Sequence, residues 1–185
     1  MKLEKLKIHG MLLVTLEKHG DERGFFLETY RRSVFEEFGI RAEFVQDGRS
    51  LSKKNILRGM HYQIKKPQGH MVSVLRGKIF DVGVDLRKNS QTFGQWCGVE
   101  LSSDKPQQLF LPPGVVHGFC TLNEENEIYY KFTDYYDAND EGGLLWNDPT
   151  VGIEWPIQNP TSNARDNAFP LLSEISAWML PQVSL

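Results

Sequence analysis

Short runs of alternating apolar and polar residues dominate this chain, and glycine and proline residues separate them. The clearest run, MVSVLRGKIFDVGVDLR at residues 71–87, contains Arg76-Gly77, a pair typical of a tight turn between two strands. Further strand-like runs lie at residues 94–101, 108–113, 117–122 and 127–136. Many short strands of this kind predict an all-β protein, and a two-layered antiparallel barrel is the simplest way to bury them.

The second strand of the clearest run has an apolar face, which consists of Phe80, Val82, Val84 and Leu86. The opposite face of this strand carries Asp81, Asp85 and Arg87. Because two layers bury their apolar faces against each other, we expect the apolar face to pack on a second sheet.

One early segment departs from the strand pattern. Ser33-Val34-Phe35-Glu36 has the spacing of a capping box, in which the serine side chain begins a helix. Phe35 and Phe38 give this helix an apolar side, and Gly39 suits its exit. The sequence therefore predicts a short helix among the strands.

The chain has 185 residues, of which 40% are hydrophobic, and this suffices for one domain with one core. We therefore expect a single domain over residues 1–185. Residues 171–185, which include SEISAWML, predict a C-terminal arm or short helix. Its Trp178 and Leu180 need cover from the barrel or from a second subunit.

Charged residues of both signs are interspersed, and the formal net charge is -3. This pattern excludes the basic surface that would bind a nucleic acid polymer. Cys97 and Cys120 match no zinc or disulfide framework, which fits a reducing compartment. Residues 1–20 lack the apolar core of a signal peptide, and no later run is long enough to span a bilayer. We expect a cytoplasmic protein with no membrane partner.

Polar residues with catalytic potential interrupt two of the strand-like runs. The sequence Pro112-Pro113-Gly114 predicts a turn that delivers His117 to the mouth or interior of a barrel. The stretch at residues 57–70 carries Arg58, His61, Gln63 and His70. Strand alternation sends His61 and Gln63 to one face. Packing, metal binding and proton transfer are all open explanations for these histidines.

A metal site is the first alternative to weigh. His61, Gln63, His70 and His117 offer three imidazoles and an amide, which could fill the coordination positions of a transition metal. The set lacks an anionic ligand. We therefore expect no metal, with a metal-dependent dioxygenase or sugar isomerase of the cupin type as the alternative function.

Eight motifs occur in a fixed order along the chain. They are Asp21-Glu22-Arg23-Gly24-Phe25-Phe26-x-Glu28, Phe44-Val45-Gln46-Asp47, Leu57-Arg58-Gly59-Met60-His61-Tyr62-Gln63, Phe80-Asp81-Val82-x-Val84-Asp85-Leu86-Arg87, Ser90-x-Thr92-Phe93-Gly94-x-Trp96, Pro113-Gly114-x-x-His117-Gly118-Phe119, Tyr130-Lys131-x-Thr133-x-Tyr135-Tyr136 and Trp146-Asn147-Asp148-Pro149. Together these motifs resemble the dTDP-4-dehydrorhamnose 3,5-epimerase family over roughly residues 3–170.

The resemblance implies a jelly-roll barrel of the cupin type, also called a double-stranded β-helix, with a few short helices. It further implies a homodimeric epimerase that needs no cofactor and acts on a nucleotide-linked 4-keto-6-deoxy sugar. A ketone acidifies the neighbouring C–H bonds, so a base can remove one proton and an acid can return another to the opposite face. The expected partner is a dTDP-sugar, and a CDP-sugar stays open.

The family's catalytic roles fall on three residues of this chain. By resemblance, His61 is the general base, Asp166 is the carboxylate that orients it, and Tyr130 is the proton donor on the opposite face. A carboxylate bonded to one ring nitrogen fixes the tautomer and raises the basicity of the other.

The resemblance also implies a set of substrate contacts. Forked cations suit a diphosphate, and these would be Arg23, Arg58 and Arg165. Base and sugar contacts would come from Glu28, Gln46, Asp47, Gly48, Gln63 and Glu141. Tyr136 would stack on the nucleobase, His117 would contact the sugar or phosphate, and Phe26 would line the pocket.

Three positions depart from the family pattern. His70 replaces a lysine, and we expect it to donate to the ketone oxygen most strongly when protonated, so activity would fall as pH rises through its pKa unless Arg58 takes over this role. Gly48 replaces an asparagine, which leaves cytosine open as the base, and Arg165 replaces a lysine. We expect inversion at both C3 and C5, with inversion at one carbon, or a catalytically silent sugar-nucleotide binding protein, as alternatives.

Overall fold

The computed structural model describes residues 1–183, whose regular structure is strands, one short α-helix and two 3-10 turns. The strands are β1 (Lys2–Lys5), β2 (Leu12–Thr15), β3 (Lys18–Asp21), β4 (Gly24–Leu27), β5 (Gln46–Lys53), β6 (Leu57–Gln63), β7 (His70–Arg76), β8 (Lys78–Asp85), β9 (Trp96–Ser102), β10 (Gln107–Leu111), β11 (Val115–Thr121), β12 (Glu125–Phe132) and β13 (Glu141–Gly143). Helix α1 spans Arg32–Glu37, and the 3-10 turns span Asp166–Ala168 and Leu172–Glu174. No helix within residues 1–183 has the length and apolar character to cross a membrane.

Two antiparallel sheets face each other across the core. One has the order β1-β2-β10-β7-β12-β5 and the other β13-β6-β11-β8-β9, while β3 and β4 pair as a separate hairpin. The core between the sheets includes Val72, Leu109, Leu111 and Ile128 from the first sheet and Ile79, Leu101, Val115 and Phe119 from the second. The predicted all-β, two-layered antiparallel architecture is therefore confirmed.

Both turns predicted from glycine are present. Strand β7 ends at Arg76 and β8 begins at Lys78, with Gly77 at a φ of 79°. A Cβ atom at residue 77 would lie 2.2 Å from the carbonyl oxygen of Glu125, so only glycine fits there. In the second turn, the N–H of Val115 donates to the carbonyl of Pro112 at 3.1 Å.

The predicted orientation of β8 is wrong. The apolar side chains Phe80, Val82 and Val84 belong to a cluster on the outer face of the second sheet, where Trp155, Leu172, Ile175 and Leu180 cover them. Asp81 consequently faces the barrel interior. Strand alternation separates two faces but cannot say which one is inside when a long C-terminal segment buries the outer face as well.

The early helix is present, but it lacks the predicted cap. Helix α1 begins at Arg32 after Arg31, and no side chain caps its first turn, so Ser33 lies inside the helix. Phe35 is buried against Tyr30 and Phe38, and Gly39 follows the helix at a φ of 84°. Burial of Phe35, rather than a serine cap, therefore stabilises this helix.

The C-terminal segment crosses the outer face of the second sheet. Within residues 171–183 it contains the 3-10 turn at Leu172–Glu174 and otherwise irregular backbone, and residues 184–185 lie outside the described part. Leu180 packs on the outer cluster, whereas Trp178 is 70% exposed. The barrel thus supplies the expected cover for Leu180 but leaves most of the Trp178 ring accessible.

Asp148 ties this segment to the barrel. Its buried carboxylate accepts hydrogen bonds from the N–H groups of Thr150, Val151 and Leu172 at 2.6–3.0 Å. We expect Asp148→Ala to lower the free energy of unfolding by about 2–4 kcal/mol, because backbone donors would lose their acceptor. Urea unfolding measures this loss.

The matched control is Asp134→Ala, since the Asp134 side chain accepts one hydrogen bond, from Tyr135, at an exposed site. It should change the free energy of unfolding by less than about 1 kcal/mol. Equal effects of the two substitutions would mean that Asp148 does not anchor the segment.

Candidate active site

The inner face of the second sheet carries the histidines. His61 on β6 lies opposite His117 on β11 in the antiparallel register. Met60 and Tyr62 pack in the outer cluster, so His61 and Gln63 point inward, as strand alternation predicted. Phe169, which follows the first 3-10 turn, packs edge-on against the His61 ring at 5.6 Å.

His61 is bonded to the carboxylate that the sequence pointed to. Its Nε2 lies 2.9 Å from Oδ1 of Asp166, and Oδ2 of Asp166 accepts the N–H of Gly59 at 2.9 Å. Asp166 is fully buried. Burial alone would raise the pKa of this carboxyl, but the hydrogen bonds from His61 and Gly59 outweigh it and lower the pKa from 3.8 to about 2. Asp166 is therefore an anion at neutral pH.

Arg165 also reaches this pair. Its Nη1 donates to Glu141 at 2.6 Å, its Nε to Asp166 at 3.1 Å, and its Nη2 lies 3.0 Å from Nε2 of His61. One ring nitrogen is either a donor or an acceptor. Nε2 of His61 therefore cannot accept from Arg165 while it donates to Asp166, and the two contacts are alternatives.

Tyr130 enters the barrel from the other sheet, on β12. Its hydroxyl is hydrogen-bonded to Ser50 Oγ at 2.8 Å, and its ring lies 6.4 Å from the His117 ring. Burial is the main cause that raises the pKa of this phenol above its usual value. The phenol is therefore protonated at neutral pH and has a proton to give.

His70 lies in the same interior but is not a cation. Its Nδ1 is 3.1 Å from Nδ1 of His117, and Nε2 of His117 is 2.8 Å from Asp81. Burial, together with His117 and His61, lowers the pKa of His70 well below its usual value. The expectation that His70 is protonated is therefore wrong, because burial and the neighbouring histidines disfavour its charged form.

The sequence reasoning missed Asp81 as a site residue. The signal was present, since Asp81 lies between the apolar residues Phe80 and Val82 on β8. Alternation alone places Asp81 on the face opposite Phe80 and Val82 but does not say that this face is the inner one, where His117 lies.

The inward side of β5 carries small or polar side chains. Gln46 accepts the N–H of Tyr136 at 2.9 Å, and Ser52 accepts Nε of Arg58 at 3.0 Å. Gly48 leaves room for the ring of Phe132, since a Cβ atom there would lie 3.1 Å from that ring. Gln46, Gly48, Arg58 and Tyr136 thus lie along one edge of the interior.

Four predicted contact residues lie elsewhere in the chain's own fold. Asp47 points outward and bonds Tyr129 and Lys131, because neighbouring residues of β5 face opposite sides. Glu28 pairs with Arg31 ahead of α1.

Arg23 and Phe26 belong to the β3–β4 hairpin. Arg23 is paired with Asp21, and Phe26 lines a groove with Ser73, Leu75 and Gln107 on the six-stranded sheet. Within one chain the hairpin therefore lies away from His61, and the substrate contacts expected of Arg23 and Phe26 remain predictions.

The candidate metal ligands do not converge. Within residues 1–183, no three histidine, cysteine, aspartate or glutamate side chains are arranged to hold a metal ion. Gln63 instead accepts the N–H of Asp137 at 2.8 Å, and both nitrogens of His117 are engaged.

Comparison with known proteins gives the family. A family model described as dTDP-4-dehydrorhamnose 3,5-epimerase matches residues 5–174. The chain belongs to this family. The resemblance seen in the eight motifs is confirmed, and so is the cupin-like jelly-roll fold.

Individual relatives cover nearly the whole chain. The dTDP-4-dehydrorhamnose 3,5-epimerase of Salmonella typhimurium is 50% identical over 173 residues, which are 92% of this chain and 94% of that protein. The dTDP-4-dehydrorhamnose 3-epimerase of Streptomyces niveus is 36% identical over 184 residues, or 98% and 89% of the two chains. The structure of a dTDP-6-deoxy-D-glucose-3,5-epimerase from Legionella pneumophila with dTDP-4-keto-L-rhamnose is similar to this chain with a TM-score of 0.95 and 41% identity. The match covers 100% of this chain and 99% of the Legionella chain.

The low pKa of Asp166 gives a test of this site that does not need a substrate. Because the folded pKa of about 2 lies below the unfolded value of 3.8, ionised Asp166 stabilises the fold fully above pH 3.8, and this is lost as pH falls toward 2. The contribution is about 2 kcal/mol. We expect the unfolding free energy of the wild type to fall more steeply than that of Asp166→Asn between pH 5 and 2, measured with urea. Parallel pH curves would contradict this assignment.

Proposed function

We propose that this chain is an isomerase that inverts C3, C5 or both in a dTDP-linked 4-keto-6-deoxy sugar, without a metal or other cofactor. The observation that carries this proposal is the hydrogen bond between His61 and the buried Asp166, in an interior that Tyr130 enters from the opposite sheet. The names of the Salmonella relative and of the Legionella complex support the substrate class.

His61 acts as the base in this proposal. When its Nε2–H donates to Asp166, the lone pair on Nδ1 is free to take a proton from a carbon beside the ketone. Arg165 competes for the same Nε2. A diphosphate that binds Arg165 draws it away from His61, so substrate binding itself favours the basic tautomer. Arg58 is the second cation proposed for the diphosphate.

Tyr130 returns a proton to the opposite face of the enolate. An enolate carbon is a strong base, so a phenol of high pKa is still acidic enough to protonate it. Gln46, Gly48, Gln63, Tyr136 and Glu141 are proposed to hold the base and sugar, and His117 and His70 to lie at the ketone side.

The proposed outcome is inversion at both carbons, because one ketone acidifies both neighbours. Reaching the second carbon requires the sugar ring to reposition above the same base. The Streptomyces relative, named a 3-epimerase, keeps inversion at C3 alone open for this chain.

We also propose a homodimer, formed by single-domain subunits of residues 1–185. Phe25 and Phe26 on the β3–β4 hairpin are 64% and 67% exposed, and Arg23 lies at the hairpin tip. Since the hairpin does not reach its own His61, Arg23 and Phe26 can contact a substrate only in a second copy's barrel. Asp47 and Glu28 likewise can contact a substrate only in the barrel of a second copy. A cytoplasmic role in making deoxysugars for cell-surface polysaccharide completes the proposal.

Solvent deuterium tests the base. In heavy water the enzyme should place deuterium at C3 or C5 of dTDP-4-keto-6-deoxyglucose, and NMR reports which carbon exchanges. His61→Ala should slow this exchange at least about 100-fold, because the base is lost. Nucleotide affinity should stay within about 3-fold, since a C–H bond contributes little to ground-state binding.

The matched control is His9→Ala, because His9 is exposed and lies outside the interior. Exchange into no member of a dTDP-, CDP- and GDP-sugar panel would favour a silent binding protein. Turnover that is abolished by removing a stoichiometric metal would favour a metal-dependent cupin enzyme.

Tyr130→Phe separates proton removal from inversion. His61 can still remove a proton and return a deuteron on its own face, so exchange should continue while formation of the inverted product falls about 100-fold. Tyr129→Phe is the control, because the neighbouring phenol points outward and bonds Asp47. NMR measures both rates, and full epimerisation by Tyr130→Phe would overturn the assigned role.

A further inference from the structure

A second carboxylate is bonded to an imidazole inside the barrel. Oδ1 of the fully buried Asp81 lies 2.8 Å from Nε2 of His117, and Nδ1 of His117 lies 3.1 Å from Nδ1 of His70. Oδ2 of Asp81 has no hydrogen-bond partner among residues 1–183. The three side chains come from β8, β11 and β7, and so link the two sheets.

The short distance between the two Nδ1 atoms restricts where protons can lie. Two lone pairs at 3.1 Å would repel, so one of the two nitrogens carries a hydrogen and the other accepts it. If His70 is the donor, its Nε2 is left with a lone pair. If His117 is the donor, neutral His70 carries its hydrogen on Nε2 and can donate it to a ligand.

The buried charge of Asp81 selects between these arrangements. With His117 neutral, the group would bury a carboxylate that has one hydrogen bond and no counter-charge, which is costly. With hydrogens on both nitrogens, His117 neutralises Asp81. Three other ionisable side chains face this histidine–aspartate cluster, namely His61, Tyr130 and Arg58. The Arg58 guanidinium is bonded to Ser52 rather than to Asp81.

His70 is held in place for donation. The Phe132 ring packs edge-on against it at 5.0 Å, in the space that Gly48 leaves. Nε2 of His70 has no hydrogen-bond partner among residues 1–183, and this atom is not fully buried. It therefore remains available to a group in the interior.

We propose that Asp81, His117 and His70 form a proton relay that protonates the ketone oxygen as the carbon-bound proton is removed, with Asp81 as a positioning residue and His70 as the donor. This inference rests on the proposed epimerase function. As His61 takes the carbon-bound proton, His70 passes its Nε2 proton to the ketone oxygen. The Nδ1 proton of His117 moves to Nδ1 of His70, which leaves an enol, two neutral imidazoles and the Asp81 anion. On ketonisation Nε2 of His70 takes the proton back from the enol oxygen while Tyr130 protonates the carbon, and the Nδ1 proton of His70 returns to His117.

A double-mutant cycle tests the relay. His70→Lys supplies a cation of its own, so Asp81 should matter only when residue 70 is histidine. We expect Asp81→Asn to lower kcat about 100-fold in the wild type, but less than about 3-fold in His70→Lys. Asp166→Asn is the control, because its effect should be the same in both backgrounds. Thermal melting and dTDP binding check that each variant folds.

The outcomes separate the relay from the function it rests on. Absence of deuterium exchange in the wild type would overturn the epimerase proposal. An active wild type with equal effects of Asp81→Asn in both backgrounds would overturn the relay alone.

A measurement on the unmodified protein is independent of any variant. Imidazole nitrogen NMR should find hydrogens on both nitrogens of His117 and on Nε2 of His70. A hydrogen on Nδ1 of His70 would overturn the proposal even if His70→Lys proved inactive.

Discussion

The hydrogen bond between Asp166 and His61 is the interaction on which the rest of the site depends. It joins a side chain of the second sheet to a 3-10 turn that belongs to neither sheet. The turn is fixed nearby by backbone contacts, since Thr161 bonds Asn55 and Leu57, and Leu145 bonds Pro170. Backbone hydrogen bonds on both sides of the 3-10 turn therefore hold Asp166 beside β6.

The outer face of the second sheet is apolar and covered, and this allows its inner face to be polar at one end of the barrel. Strand β11 is buried at every position, and β6 and β8 are buried on both faces over most of their length. Trp155 and the C-terminal segment, through Ile175 and Leu180, cover the outer face. Hydrophobic burial outside stabilises the second sheet, and its inner face is then free to carry carboxylates and imidazoles that a dry core would not tolerate.

The sequence alone was sufficient for the strands from β6 to β12, because turn residues such as Gly77 and Gly114 have few alternatives. It also led to His61 and Tyr130 through the ordered motifs, and to Asp166 through the family resemblance. It could not show which face of β8 is the inner one. Both faces of this strand are buried, and the alternation of apolar and polar residues separates the faces without saying which one points inward. Nor could it give the charge of His70, which depends on burial and on His117. The predicted serine cap of the helix was wrong because packing of Phe35 outweighed a local capping pattern.

The distance in sequence between His61 and Asp166 has a consequence for synthesis. The last strand within residues 1–183 ends at Gly143. Asp166, the carboxylate partner of His61, comes later and lies 105 residues after His61 in the sequence. A nascent chain that already contains the whole barrel therefore still lacks the group that orients its imidazole. The proposed base is therefore oriented only after the ribosome has added Asp166, so fragments that end before this residue would lack the hydrogen-bonded pair.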